Sequence, residues 1–115
     1  MKANNKILEL SFSFSLQIIQ LYKVLIEKRE FVLSRQVLKS GTSIGANVEE
    51  AIAAQSRKDF ISKMAIASKE ARETRYWLRL MDKSKIIDFD YTIYLNSIEH
   101  IINILTKIVK TTQET

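Results

Sequence analysis

The chain has no cysteine, no proline and only two glycines in 115 residues. Without cysteine there is no disulfide, no zinc ribbon and no thiol nucleophile, because each needs a thiolate. Without proline, and with glycine so scarce, an all-β chain is disfavoured, since its many tight turns draw on those residue types. The one histidine, His100, has Ser97 three residues before it, so the paired Glu-x-x-His motifs of a ferritin-like di-iron site cannot be built. Gly41 and Gly45 fit neither a GxGxxG nor a Walker pattern, and no phosphate-cradling loop is expected. Long apolar runs are missing as well. The most apolar stretch, 8–26, is interrupted by Glu9, Gln17, Gln20 and Lys23, whereas a membrane-spanning helix wants about 20 residues almost free of charge. The beginning of the chain, with Asn4, Asn5, Lys6 and Glu9, lacks the apolar core of an export signal. The expectation is a soluble, cytoplasmic protein with no metal, no cofactor and no membrane partner.

What is present is a basic excess and a helical pattern. Lys plus Arg number 18 against 13 Asp plus Glu, a formal net charge of +5. The length fits one domain, 1–115, at roughly 100 to 200 residues per domain, with room for a core but not for a separate catalytic lobe. Ile7, Leu10, Phe14, Ile18, Leu21 and Leu25 recur every three or four residues and predict a helix over 7–28. Phe12, Leu16, Ile19, Tyr22 and Ile26 occupy its other side, so this helix is expected to be covered on more than one face. Leu33, Val37, Ile44, Val48, Ala51 and Ile52 mark a second helix over 31–55. Ser56 followed three residues later by Asp59 is an N-terminal capping signature for a third, over 57–83, with Phe60, Met64, Ala67, Ala71, Leu78 and Met81 as its stripe. Asp88 or Asp90 caps a fourth, over 89–111, whose seam is Tyr91, Tyr94, Ile98, Ile101, Leu105 and Ile108; the closing TTQET is expected to fray. Four such helices with short connections predict an all-α, up-and-down antiparallel four-helix bundle.

Two glycines inside the second helix each cost about 1 kcal/mol relative to alanine. Either Gly41 and Gly45, four apart on one side, admit another backbone at close range, or GTSIG breaks the segment into two shorter helices. Beside them Ser43, Asn47 and Glu50 stand at i, i+4 and i+7, just off the core stripe. They read as an interhelical hydrogen-bond network serving packing specificity, since a catalytic set would need a nucleophile and a base.

The third helix carries two further faces. Lys58, Lys69, Arg72, Tyr76, Arg79 and Lys83 fall within a sector of about 80° opposite its core stripe, at 100° per residue. Such a sector is either a solvated face or, being nearly single-signed, a track for successive nucleic-acid phosphates that gives affinity without sequence choice. Between it and the core lie Ile66, Trp77 and Leu80, interspersed with Glu70 and Glu73. Trp77 either fills a wide bundle core or belongs to a subunit contact, where aromatic residues concentrate.

The run SGTSIGANVEEA at 40–51 and the stretch 59–80 resemble the four-helix-bundle family named for proteins encoded in intervening sequences of bacterial 23S rRNA genes. Ser43, Ile44, Asn47 and Glu50 match its S-I-x-x-N-x-x-E pattern, and the likeness runs from the first helix to the fourth. Many members have Glu-Gly where this chain has Glu50-Ala51, so the second helix is expected to run further toward Ser56. The resemblance implies a homopentameric ring or barrel. It also implies kinship with the accessory variability protein of diversity-generating retroelements, a basic pentameric bundle associated with RNA and a reverse transcriptase. It supplies no biochemical activity, because the family name records a gene location and fold kinship does not transmit function.

Two functions compete on these grounds. The first is a non-enzymatic oligomeric module that binds RNA through the basic sector, five copies together carrying about +25. The second is a protein-interaction scaffold whose charge serves solubility alone. A nuclease or other enzyme is not expected, since no constellation of carboxylates, His, Lys or Tyr appears at a plausible spacing.

Overall fold

The computed structural model describes residues 2–114, which form four helices: α1 (Lys2–Glu27), α2 (Leu33–Ile52), α3 (Arg57–Ser84) and α4 (Thr92–Glu114). Each helix packs on its sequence neighbours and α4 closes back on α1, giving an antiparallel bundle of 46 × 20 × 20 Å. The α2–α3 seam is the most extensive and the α1–α4 seam the least.

The turns are made without glycine. At the end of α1, the amide of Arg29 donates to the Ile26 carbonyl (3.0 Å) and that of Glu30 to the Leu25 carbonyl (2.9 Å). This is a Schellman closure, and Arg29 takes the left-handed position, φ 66°, that glycine usually fills. Lys85 takes the same left-handed conformation after α3, at φ 54°, in the simpler closure where its amide donates to the Met81 carbonyl (3.2 Å). Glu30 then starts α2. Its nearly buried carboxylate accepts from the amides of Val32 (3.3 Å), Leu33 (3.2 Å) and Ser34 (2.6 Å), groups that a helix N-terminus leaves without partners. Ser56 accepts from the Asp59 amide at 3.0 Å, as its spacing predicts. Of the two candidates ahead of α4, Asp90 is the capping residue, accepting from the Thr92 amide (3.0 Å) and hydroxyl (2.6 Å). Those two bonds hold its carboxyl below the usual carboxylate range.

Several ends differ from the sequence expectation. α2 starts at Leu33 rather than 31 and α4 at Thr92 rather than 89. α1 begins at Lys2 rather than near residue 7. α2 stops at Ile52 and does not run on toward Ser56, because Ser56 must be extended (φ −143°, ψ 159°) to cap α3. The closing segment does not fray before Glu114: the Arg57 guanidinium donates to the Thr112 carbonyl (Nε at 3.2 Å), and the Thr112 hydroxyl donates to that of Ile108 (2.7 Å). A cation at a helix C-terminus also meets the negative end of the dipole.

The core follows the predicted stripes, with Ile7, Phe14, Ile18, Leu21, Val37, Ile44, Val48, Met64, Ala67, Leu78, Met81, Ile98 and Leu105 all buried. Ile102 joins them, while Leu10, Leu33, Phe60 and Tyr94 are half-buried and pack against the cluster. Ile52 is a correction. Expected on the core face, it is exposed because at 100° per residue it turns away from Ala51, the last buried residue of the α2 stripe. The α1 side carrying Phe12, Leu16 and Ile19 is not covered within the chain; these residues are 61%, 52% and 40% exposed.

Gly41 and Gly45 lie inside one unbroken helix and face α1. A Cβ on Gly41 would stand 2.9 Å from both Cγ atoms of Ile18, and one on Gly45 would stand 3.3 Å from the Ser11 carbonyl oxygen. Close approach of two helices is therefore what offsets their poor helix propensity.

Candidate nucleic-acid interface

A 28-residue helix with one apolar stripe must present the rest of its circumference to solvent or to a partner. On α3 that outward side holds Lys58, Lys69, Arg72, Tyr76, Arg79 and Lys83, all six exposed. Among the described residues the one carboxylate ion pair is Arg75 with Glu99 on α4, at 2.7 Å, and Arg75 lies outside the sector. The five cations of the sector thus keep their charge uncompensated by an acid within bonding distance. Arg72 is the one whose head group is held in place: its Nη2 donates to the Thr106 hydroxyl of α4 at 3.2 Å. Tyr76 is 55% exposed and meets the Trp77 ring edge-on, centroids 5.2 Å apart.

The second face of α3 divides. Ile66 and Leu80 are exposed, at 40% and 36%, whereas Trp77 is half-buried against the core cluster. Its indole N–H leaves the core and donates to Glu73 at 3.3 Å. Trp77 therefore fills the edge of the bundle and still shows part of its ring beside Ile66 and Leu80.

Ser43, Asn47 and Glu50 do not bridge helices. The Ser43 hydroxyl donates to the Lys39 carbonyl (2.6 Å), the Asn47 amide donates to the Ser43 carbonyl (2.8 Å), and Glu50 is exposed without a bonding partner among the described residues. The buried polar contact of the α2–α3 seam is made one turn earlier, where the hydroxyls of Ser40 and Thr74 share a hydrogen bond of 2.8 Å. The signal for it was in the periodicity: Ser40 falls between Val37 and Ile44, and Thr74 between Ala71 and Leu78, each a polar residue on an apolar stripe.

With the bundle and its basic helix in view, the comparison with known proteins is direct. Residues 3–107 match the 23S rRNA-intervening sequence protein family. The chain belongs to that family. A solved structure described as a protein with unknown function from the S23 ribosomal protein family of Bacteroides thetaiotaomicron VPI-5482 is similar over 94% of this chain and 98% of its own. The two are 46% identical, and the TM-score is 0.89. No curated protein matches the chain.

In this intervening-sequence protein the described residues contain no group of three His, Asp or Glu able to hold a metal, and none of their helices is long and apolar enough to cross a membrane. His100 is exposed on α4 and lies beside α1 at a shallow hollow with Gln17 and Ser97. One cation near the basic sector escapes a one-helix reading. Lys110, on α4, lines a groove with Ser68 and Arg72 of α3, and this needs the register of two helices to be known.

Proposed function

We propose that this intervening-sequence protein is a non-enzymatic, oligomeric, cytoplasmic module that binds RNA through the outward face of α3. The observation that carries the reading is the row of exposed, acid-free cations Lys58, Lys69, Arg72, Arg79 and Lys83, with Tyr76 among them as a stacking surface. The net charge of +5 points the same way. A five-fold ring, as the resemblance to the family implies, would multiply weak contacts into useful affinity.

A second observation bears on assembly and on the scaffold alternative. Phe12, Leu16 and Ile19 on α1, and Ile66 and Leu80 on α3, are exposed apolar residues at helical spacing on two different sides of the bundle. Scattered exposed apolar residues need no explanation, but rows of them support contact with further protein. Copies of the same chain are the simplest occupant, leaving the basic face free.

Binding of a labelled RNA hairpin across a salt series tests the reading. For five phosphate contacts the logarithm of the association constant should fall with the logarithm of salt at a slope of about −3.5 to −4.5 per chain engaged. Absence of binding at low salt, or binding indifferent to salt, would rule it out.

A further inference from the structure

We infer that the groove between α3 and α4 seats a backbone phosphate of the bound RNA, held by Arg72 and Lys110 with the hydroxyls of Ser68 and Thr106. This rests on the RNA-binding reading above and assigns it a specific seat. The groove has a volume of about 280 Å³, and its polar lining is Ser68, Arg72, Thr106, Lys110 and Gln113. Every one of these offers a hydrogen-bond donor and none is an acid, which is the composition a phosphodiester requires and a carboxylate-bearing groove would repel.

Geometry separates this groove from the other hollows of the bundle. Beside the α2–α3 turn a hollow is lined by Glu50 and Asp59 against a single cation, Lys63, and would reject an anion. At the far end of the α1–α4 seam Lys6 and Lys107 flank a mainly apolar hollow. Of these three hollows, the α3–α4 groove is the one that joins the basic sector itself. Arg72 is positioned before any ligand arrives: the Thr106 hydroxyl takes one of its five N–H donors and leaves the others for two phosphate oxygens. Of the two acids of α4, Glu99 is already engaged by Arg75 at 2.7 Å, and Glu114, one turn beyond Lys110, is not part of the groove lining. From this seat the strand meets Lys69 just under one helical turn to one side of Arg72 and Arg79 about two turns to the other, so neighbouring phosphates find cations in sequence.

The test compares three full-length proteins for binding to a fluorescein-labelled RNA hairpin over a salt series. They are the natural chain, a groove pair (Arg72→Gln with Lys110→Gln) and a charge-matched control pair (Lys23→Gln with Lys39→Gln) on the outward faces of α1 and α2. The groove pair should bind at least about tenfold more weakly at low salt, with the salt slope reduced by roughly 1.4 to 1.8 for two lost contacts. The control pair should lose no more than about twofold, through the general field alone. Lys110→Gln by itself, which removes no hydrogen bond, should show a clear part of the loss with an unchanged thermal midpoint, so that a folding defect from Arg72→Gln cannot imitate the result. If the natural chain binds and the groove pair binds equally well, or if the control pair loses as much, the seat is wrong and the RNA reading stands. If the natural chain does not bind, the RNA reading fails and the seat falls with it.

Discussion

Gly41 is the residue whose side chain, or lack of one, sets the separation of α1 and α2. An alanine there would gain about 1 kcal/mol of helix propensity. Against this stands a methyl 2.9 Å from Cγ1 and Cγ2 of Ile18, a fully buried side chain whose branch atoms cannot swing aside. Overpacking of this kind costs about 1 to 3 kcal/mol, so Gly41→Ala should lower stability by about 1 kcal/mol despite the better helix former. Denaturant titration measures this, and Ile18→Ala in the same chain should restore part of the loss as a favourable coupling in a double-mutant cycle. A double-variant loss equal to the sum of the two single losses would mean that the two residues do not interact. Tyr91 poses the opposite problem. Its ring is buried edge-on against Phe89, and its hydroxyl has no hydrogen-bond partner among the described residues. Burial, then the charges of Asp82 and Glu30, hold its pKa above the ordinary value of 10.0. Because the folded value lies above the unfolded one, stability is intact below about pH 10 and is lost as pH rises through the folded pKa. Tyr91→Phe should therefore raise stability at neutral pH by about 1 kcal/mol and flatten the alkaline loss. A destabilised phenylalanine variant at neutral pH would show that the hydroxyl is satisfied.

At the scale of elements, the helices themselves were legible and their ends only partly so. The apolar stripes of α1, α3 and α4 follow three-and-four spacing, and Ser56 with Asp59 announces the start of α3, because a hydroxyl ahead of an acid is a local chemical device. The start of α2 was not legible. Glu30 is not among the residue types that usually cap, and it folds inward from an otherwise exposed turn whose closure depends on Arg29 taking a left-handed conformation. Glu30→Ala would strip three amide groups of their acceptor and should destabilise the bundle by about 2 kcal/mol, at the upper end of capping effects. Amide hydrogen exchange should place the loss in the first turn of α2, and uniform loss of protection across all four helices would contradict a local cap. The candidate site shows the same division. Its α3 half could be read because one helix has one angular frame, so Lys69, Arg72 and Arg79 fall into a sector from spacing alone. Lys110 and Thr106 require the offset between neighbouring helices, which the spacing within a single helix does not contain; spacing places Ser40 and Thr74 on their stripes, and only the same offset pairs them.

The whole molecule presents two apolar rows that are not equivalent: Phe12, Leu16 and Ile19 along α1, and Ile66 and Leu80 with the exposed edge of Trp77 along α3. A two-fold dimer buries one patch against its own copy, whereas a head-to-tail contact buries one row against the other and closes into a ring if the rotation permits. The second arrangement uses both rows in every subunit, and it makes a prediction that the first does not. Leu16→Gln should disable one face and Trp77→Ala the other, so each variant alone should shift from oligomer toward monomer in solution mass. Mixed in equal amounts they should recover a single contact, the intact α3 row of the Leu16 variant meeting the intact α1 row of the Trp77 variant, and form dimers that grow no further. Leu80→Gln should replace Trp77→Ala in this experiment without disturbing the core edge that the indole fills. Mixtures that stay monomeric, or single variants that keep the mass of the natural chain, would exclude a head-to-tail assembly through these two rows.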